Sequence, residues 1–199
     1  MKKNLFIPLF VAACLLAMMG CRDKDDLPTY YIPQDMKDYV MFPVGSYWIY
    51  EDSLTGAIDS VYLAAQRTKI ENLADEDTRK AENLEQYFKS SFLNMTYLQG
   101  TKYVISLPPD AHFFYLGRRG YFFAPAEVDE TVRYIGYIKC VAFYDSVQFH
   151  RVKYDSIRVF SCDEENYYWA KNIGLIRQDV YTNGAISNTW YLKRYKINR

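Results

Sequence analysis

Two histidines, His112 and His150, are the only imidazoles in the chain. Neither has the companions of a transition-metal site, since there is no His-Glu-x-x-His and no paired Cys-x-x-Cys. Each is expected to be an ordinary strand residue, and no metal site is assigned. Asp75-Glu76-Asp77 lacks the glycine and spacing of a calcium loop, and Asp163-Glu164-Glu165 reads as a solvated turn. No Gly-x-Ser-x-Gly elbow and no glycine-rich phosphate loop is present. No cofactor is expected. A carboxylate pair for glycoside hydrolysis is a spatial relation with no required sequence spacing. A hydrolase therefore stays open as an alternative, but no pair is indicated and the expected role is non-catalytic.

The N-terminus carries the most specific signal. Lys2 and Lys3 precede an apolar run from Leu5 to Met19, broken by Pro8. This is a basic start followed by a hydrophobic segment too short to span a bilayer comfortably, as in a secretory signal. It ends in Met18-Met19-Gly20-Cys21, which resembles a bacterial lipoprotein lipobox. The resemblance implies cleavage after residue 20 and acylation of Cys21. Several acyl chains hold a protein stably at a membrane without spanning it. Cys21-Arg22-Asp23-Lys24-Asp25-Asp26 resembles the acidic export signal of surface lipoproteins of Bacteroidota. The expected address is the outer membrane, facing the cell surface, with the periplasmic leaflet as the competing address. A plain solvated tether also explains the charged run.

Removing residues 1–20 takes away Lys2 and Lys3 and no acid, leaving 22 basic against 24 acidic residues. Near-neutrality argues against a nucleic-acid partner, which would call for a basic stripe. The length suits one domain with a real core. Twenty Tyr, three Trp and twelve Phe make 18% of the chain aromatic. Aromatics favour strands, and Tyr suits a surface half apolar and half wet.

Residues 21–38 read as a flexible acidic tether, with a β domain over 39–199. Strand-like runs follow one another: 46–52, 58–68, 85–98, 101–107, 112–116, 121–124, 132–143, 146–151, 154–161, 167–170, 175–181 and 189–197. Thr55-Gly56, Gly117-Arg118-Arg119-Gly120 and above all Asn183-Gly184 mark hairpin turns. Ile70, Leu73, Ala74, Ala81 and Leu84 recur at roughly helical spacing, so at most one short helix is expected, near 71–83. The expected fold is all-β and mainly antiparallel, with about ten strands in a meander-type barrel, half-barrel or sandwich.

The segments Phe42-Pro43-Val44-Gly45-Ser46-Tyr47-Trp48-Ile49-Tyr50 and Tyr167-Tyr168-Trp169-Ala170-Lys171-Asn172-Ile173-Gly174-Leu175-Ile176-Arg177 resemble small β-rich outer-membrane lipoproteins of Bacteroidota. That resemblance implies an address and a fold type, and carries no catalytic residues. Asp-Ser-aliphatic recurs at Ser53, Ser60, Ser146 and Ser156. It resembles the O-glycosylation sequon of exported Bacteroidota proteins, which would make these serines acceptors. A turn ending in Asp-Ser before a branched strand residue explains it equally.

Cys140 and Cys162 lie on neighbouring strand-like runs, so either a disulfide or two buried thiols fits. The expected function is a membrane-anchored binding module for a glycan, a lipid or a small apolar molecule. A curved aromatic sheet offers the concave, mostly apolar face such sites use. Tyr47, Trp48, Tyr50, Tyr168, Trp169 and Trp190 are the candidate ligand contacts, although the expected role of each taken singly is core packing, since aromatics dominate core energetics. The alternative is an accessory subunit held to an envelope protein partner.

Overall fold

A computed structural model describes residues 27–72, 80–90, 101–102, 104–106, 111–115, 121–124, 131–132, 138–162 and 164–198. The fold is all-β and mostly antiparallel, with one short helix. In chain order the elements are β1 (Thr29–Tyr30), α1 (Gln34–Val40), β2 (Tyr47–Asp52), β3 (Ile58–Asn72), β4 (Lys80–Ser90), β5 (Thr101–Lys102), β6 (Val104–Ser106) and β7 (Ala111–Tyr115). They continue with β8 (Tyr121–Ala124), β9 (Thr131–Val132), β10 (Ile138–Phe149), β11 (Val152–Cys162), β12 (Glu165–Ala170), β13 (Gly174–Thr182) and β14 (Ala185–Lys196).

The main sheet runs β1-β4-β3-β2-β14-β13-β12-β11-β10-β9, with β5 also on β4; β6, β7 and β8 form a small second sheet. The path has two ends, so the sheet is open rather than a closed barrel. It is also strongly curled. Phe88 of β4 and Trp169 of β12 are five strand steps apart, about 24 Å if flat at roughly 4.8 Å per step. Both nevertheless line one small cavity together with Trp48 and Val40. The core occupies this concave side.

The alternation in β2 and β3 follows the pleat. Trp48, Tyr50, Val61 and Leu63 are buried, while Tyr62 is exposed. Asn183 and Gly184 both have positive φ and join the paired residues Thr182 and Ala185, as a type I′ turn requires.

Two expectations are corrected. Glu71 and Asn72 end β3, and β4 begins at Lys80, so no helix covers the described part of 71–83; residues 73–79 lie outside the description. Ile70 pairs with Glu82, and Thr68 with Leu84, so the helical-looking spacing is a coincidence inside a long hairpin. The helix lies instead at Gln34–Val40, ahead of the expected domain start. Its Met36, Tyr39 and Val40 form a buried face at helical spacing. Asp35 sits in the first turn, where the helix dipole favours a carboxylate. Pro43 disfavours helical geometry for Phe42 just beyond the end. The Nζ of Lys37 pairs with the buried Glu82 carboxylate at 2.9 Å, and Ile32 N–H donates to the same group at 2.9 Å. The chain is thus packed from β1 onward.

β10 and β11 form one long arm. Their turn is His150-Arg151, both at positive φ, and nothing in that pair marks a turn in the sequence. Pairing of β11 with β12 stops at Ile157. Just beyond, Ser156 has a φ of +51°. The alternation slips there, and Tyr154 and Ile157, three apart, are both buried.

Candidate functional site

The structure divides the six candidate aromatic contacts. Trp48, Tyr50 and Trp169 are fully packed. The cavity that Trp48, Tyr50 and Trp169 share with Phe42 and Phe88 has a volume of about 20 Å³. That is water-sized, with no room for an apolar ligand. The phenol of Tyr50 donates to the Leu175 carbonyl at 2.9 Å, and burial pushes its pKa far up. Trp190 is half-buried and lines a void of about 10 Å³ beside Gln178. Tyr47 is half-buried at its pairings with Tyr62 and Lys196.

Tyr168 faces the other way. It pairs with Arg177, which pairs with Tyr191, which pairs with Glu51, a row on one sheet face. The β10–β11 arm lies over this row. The Phe149 ring meets Tyr168 edge-on at 5.6 Å between centroids. The Arg177 guanidinium sits 4.8 Å from the Phe149 centroid, and His150 stacks 4.2 Å from Tyr191. Beneath, the fully buried Asp179 accepts from Arg177 Nε at 2.8 Å and Thr189 Oγ1 at 2.7 Å.

Room for a ligand exists elsewhere. An open groove of about 1040 Å³ lies where α1, the β12–β13 turn and the end of β14 meet. Lys37, Lys171 and Lys196 line it, against the single carboxylate of Asp38, with Asn172 and Tyr195 beside them. The turn is held firmly. Asn172 N–H donates to Asp38 O at 2.6 Å, and Trp48 Nε1 donates to Ile173 O at 2.6 Å. Gly174, at φ +98°, lies so close to Phe42 that a Cβ would meet its ring at 3.2 Å. Burial opposes ionisation of Asp38, but hydrogen bonds from Gln34 and Lys171 and the Lys171 charge outweigh it and hold the carboxyl below its usual range. Nothing in the sequence marked these as site residues, because they come from three separate segments, with 34–43 more than a hundred positions from 171–173 and 195–197.

The remaining site residues fall as follows. Cys21 lies outside the described residues. Ser53, Ser146 and Ser156 are exposed, and Ser60 is half-buried. Cys140 and Cys162 are buried thiols on one face of paired strands, opposite Phe160 and Ile138 respectively. His112 is in β7; its side chain is outside the description. Among the described residues, no three His, Cys, Asp or Glu converge to hold a metal, and no helix is long and apolar enough to cross a membrane.

No protein-family model matches the chain, and no curated protein matches it. A solved structure of a candidate lipoprotein from Parabacteroides distasonis is similar over 77% of this chain and 96% of its own, at 10% identity and a TM-score of 0.41.

Proposed function

We propose that the chain is a lipid-anchored envelope protein, exported through residues 1–20 and acylated at Cys21, whose β domain is a non-catalytic binding module. The signal-like N-terminus ending in Gly20-Cys21 supports the anchor. The open groove beside a filled core supports binding, and it is the observation that carries the reading. It moves the candidate site from the concave aromatic face to the Lys171 turn and the end of β14. Three of the buried acids are engaged structurally, which favours a non-catalytic role. Asp52 caps a turn, Glu82 holds Lys37, and Asp179 holds Arg177. Native mass spectrometry of the full chain from its own host tests binding, with a retained glycan or lipid as the expected result. Radiolabelled palmitate tests the anchor: label is incorporated by the native chain and lost on Cys21→Ala.

A second reading is an accessory subunit, for which the β10–β11 arm offers exposed apolar side chains: Phe143, Tyr144 and Val152 are 43%, 45% and 46% exposed along it. Crosslinking in whole cells would capture a reproducible partner through the arm if this reading holds.

A further inference from the structure

We infer that the groove takes an anionic, polyhydroxylated group, a phosphate next to sugar or glycerol hydroxyls. This rests on the groove being the binding site. Its three ammonium groups are not equivalent. Lys37 is committed to Glu82 and sits in the last turn of α1, where it offsets the negative end of the helix. Lys171 shares its charge with Asp38 at 3.1 Å, and an ammonium has three donors, so it can accept a further partner. Lys196 is exposed and has no ion-pair partner among the described residues. The groove therefore keeps an uncompensated positive charge at its β14 side, and the Lys171 ammonium, held by Asp38, lines the same groove.

An anion between Lys171 and Lys196 gains charge-assisted hydrogen bonds from both. Tyr195, 40% exposed on the same strand end, gives an aromatic face and a hydroxyl, a surface suited to a ring that is apolar on one side and wet on the other. The Lys171 turn is pinned by its two 2.6 Å hydrogen bonds, so little order has to be gained on binding.

The chemistry has two sources, a free sugar phosphate or the headgroup of an anionic lipid in the membrane. The full chain, reconstituted in phosphatidylcholine nanodiscs, would be titrated with glucose 6-phosphate and with glucose, and compared with nanodiscs containing phosphatidylglycerol. Hydrogen exchange would locate the footprint. Protection over 37–38, 171–173 and 195–197 by glucose 6-phosphate identifies a soluble ligand class. The same footprint from phosphatidylglycerol alone identifies the membrane as the source. In either case Lys196→Gln should weaken binding about tenfold with unchanged urea stability, because it breaks no internal contact. Glucose binding as tightly as its phosphate would overturn the anionic class and leave the groove as a site. No footprint in the groove with any probe would overturn both.

Discussion

The indole nitrogen of Trp48 donates to the carbonyl of Ile173 at 2.6 Å. Through it the centre of the core fixes the turn that carries Lys171 into the groove. Phe42 packs edge-on against the same indole at 5.0 Å, and Gly174 closes on Phe42. Core and groove are therefore one mechanical unit.

Trp48→Phe removes that donor and leaves the Ile173 carbonyl unsatisfied. A cost of about 1–3 kcal/mol is expected, read as a lower urea midpoint. Faster amide exchange at 171–174 should accompany it, and unchanged exchange there would show that the turn does not depend on the indole.

Lys37→Met leaves the Glu82 carboxylate, with 9% of its side chain exposed, without its cation. Stability should fall by about 3 kcal/mol, near the low end for a broken buried pair, because the lysine is partly exposed. The double variant Lys37→Met/Glu82→Gln should recover much of this loss in chemical denaturation. Additive losses would mean that the two groups are not coupled.

Phe149→Ala takes away the ring held between Tyr168 and Arg177. The ring pair and the cation–π contact are each worth about 0.5–1.5 kcal/mol. The arm should then lift, with limited proteolysis cutting first near His150-Arg151, while β12–β14 keep their exchange protection.

Alkali should destabilise the domain. Burial, the largest cause, raises the phenols of Tyr50 and Tyr168 well above their ordinary value, and the nearby charges of Asp59 and Asp179 add to it. A group raised in the folded state contributes stability that is complete below its unfolded pKa, about 10 for Tyr. That stability is lost as pH rises through the folded value. Urea midpoints should therefore be flat to about pH 9 and fall above about pH 10. Tyr50→Phe should make that fall shallower, and an unchanged slope would remove Tyr50 from the account.

Cys140 and Cys162, at 0% and 4% exposure, should resist a maleimide in the native protein. Both should react once it is unfolded without reductant. Two unreactive sulfurs under those conditions would mean that the pair is oxidised in the mature protein.

The sequence by itself determined the all-β class and the hairpins at Thr55-Gly56 and Asn183-Gly184, and its period-two pattern suits the pleat. These are local properties, set by a two-residue pleat and by turns that need positive φ. It also carries the signal-like N-terminus, which is a linear pattern. The sequence misplaced the helix. Seven residues show little periodicity, and α1 is stabilised by Lys37–Glu82, a pairing 45 positions long. Tertiary structure alone decided that Trp48, Tyr50 and Trp169 are core while Tyr168 lies under an arm. Curling the sheet brings β4 against β12, and the slip at Ser156 swings the arm over the opposite face. It alone assembled the groove, because Lys37, Lys171 and Lys196 become neighbours only once the helix, a turn and the last strand pack on the same end of the sheet.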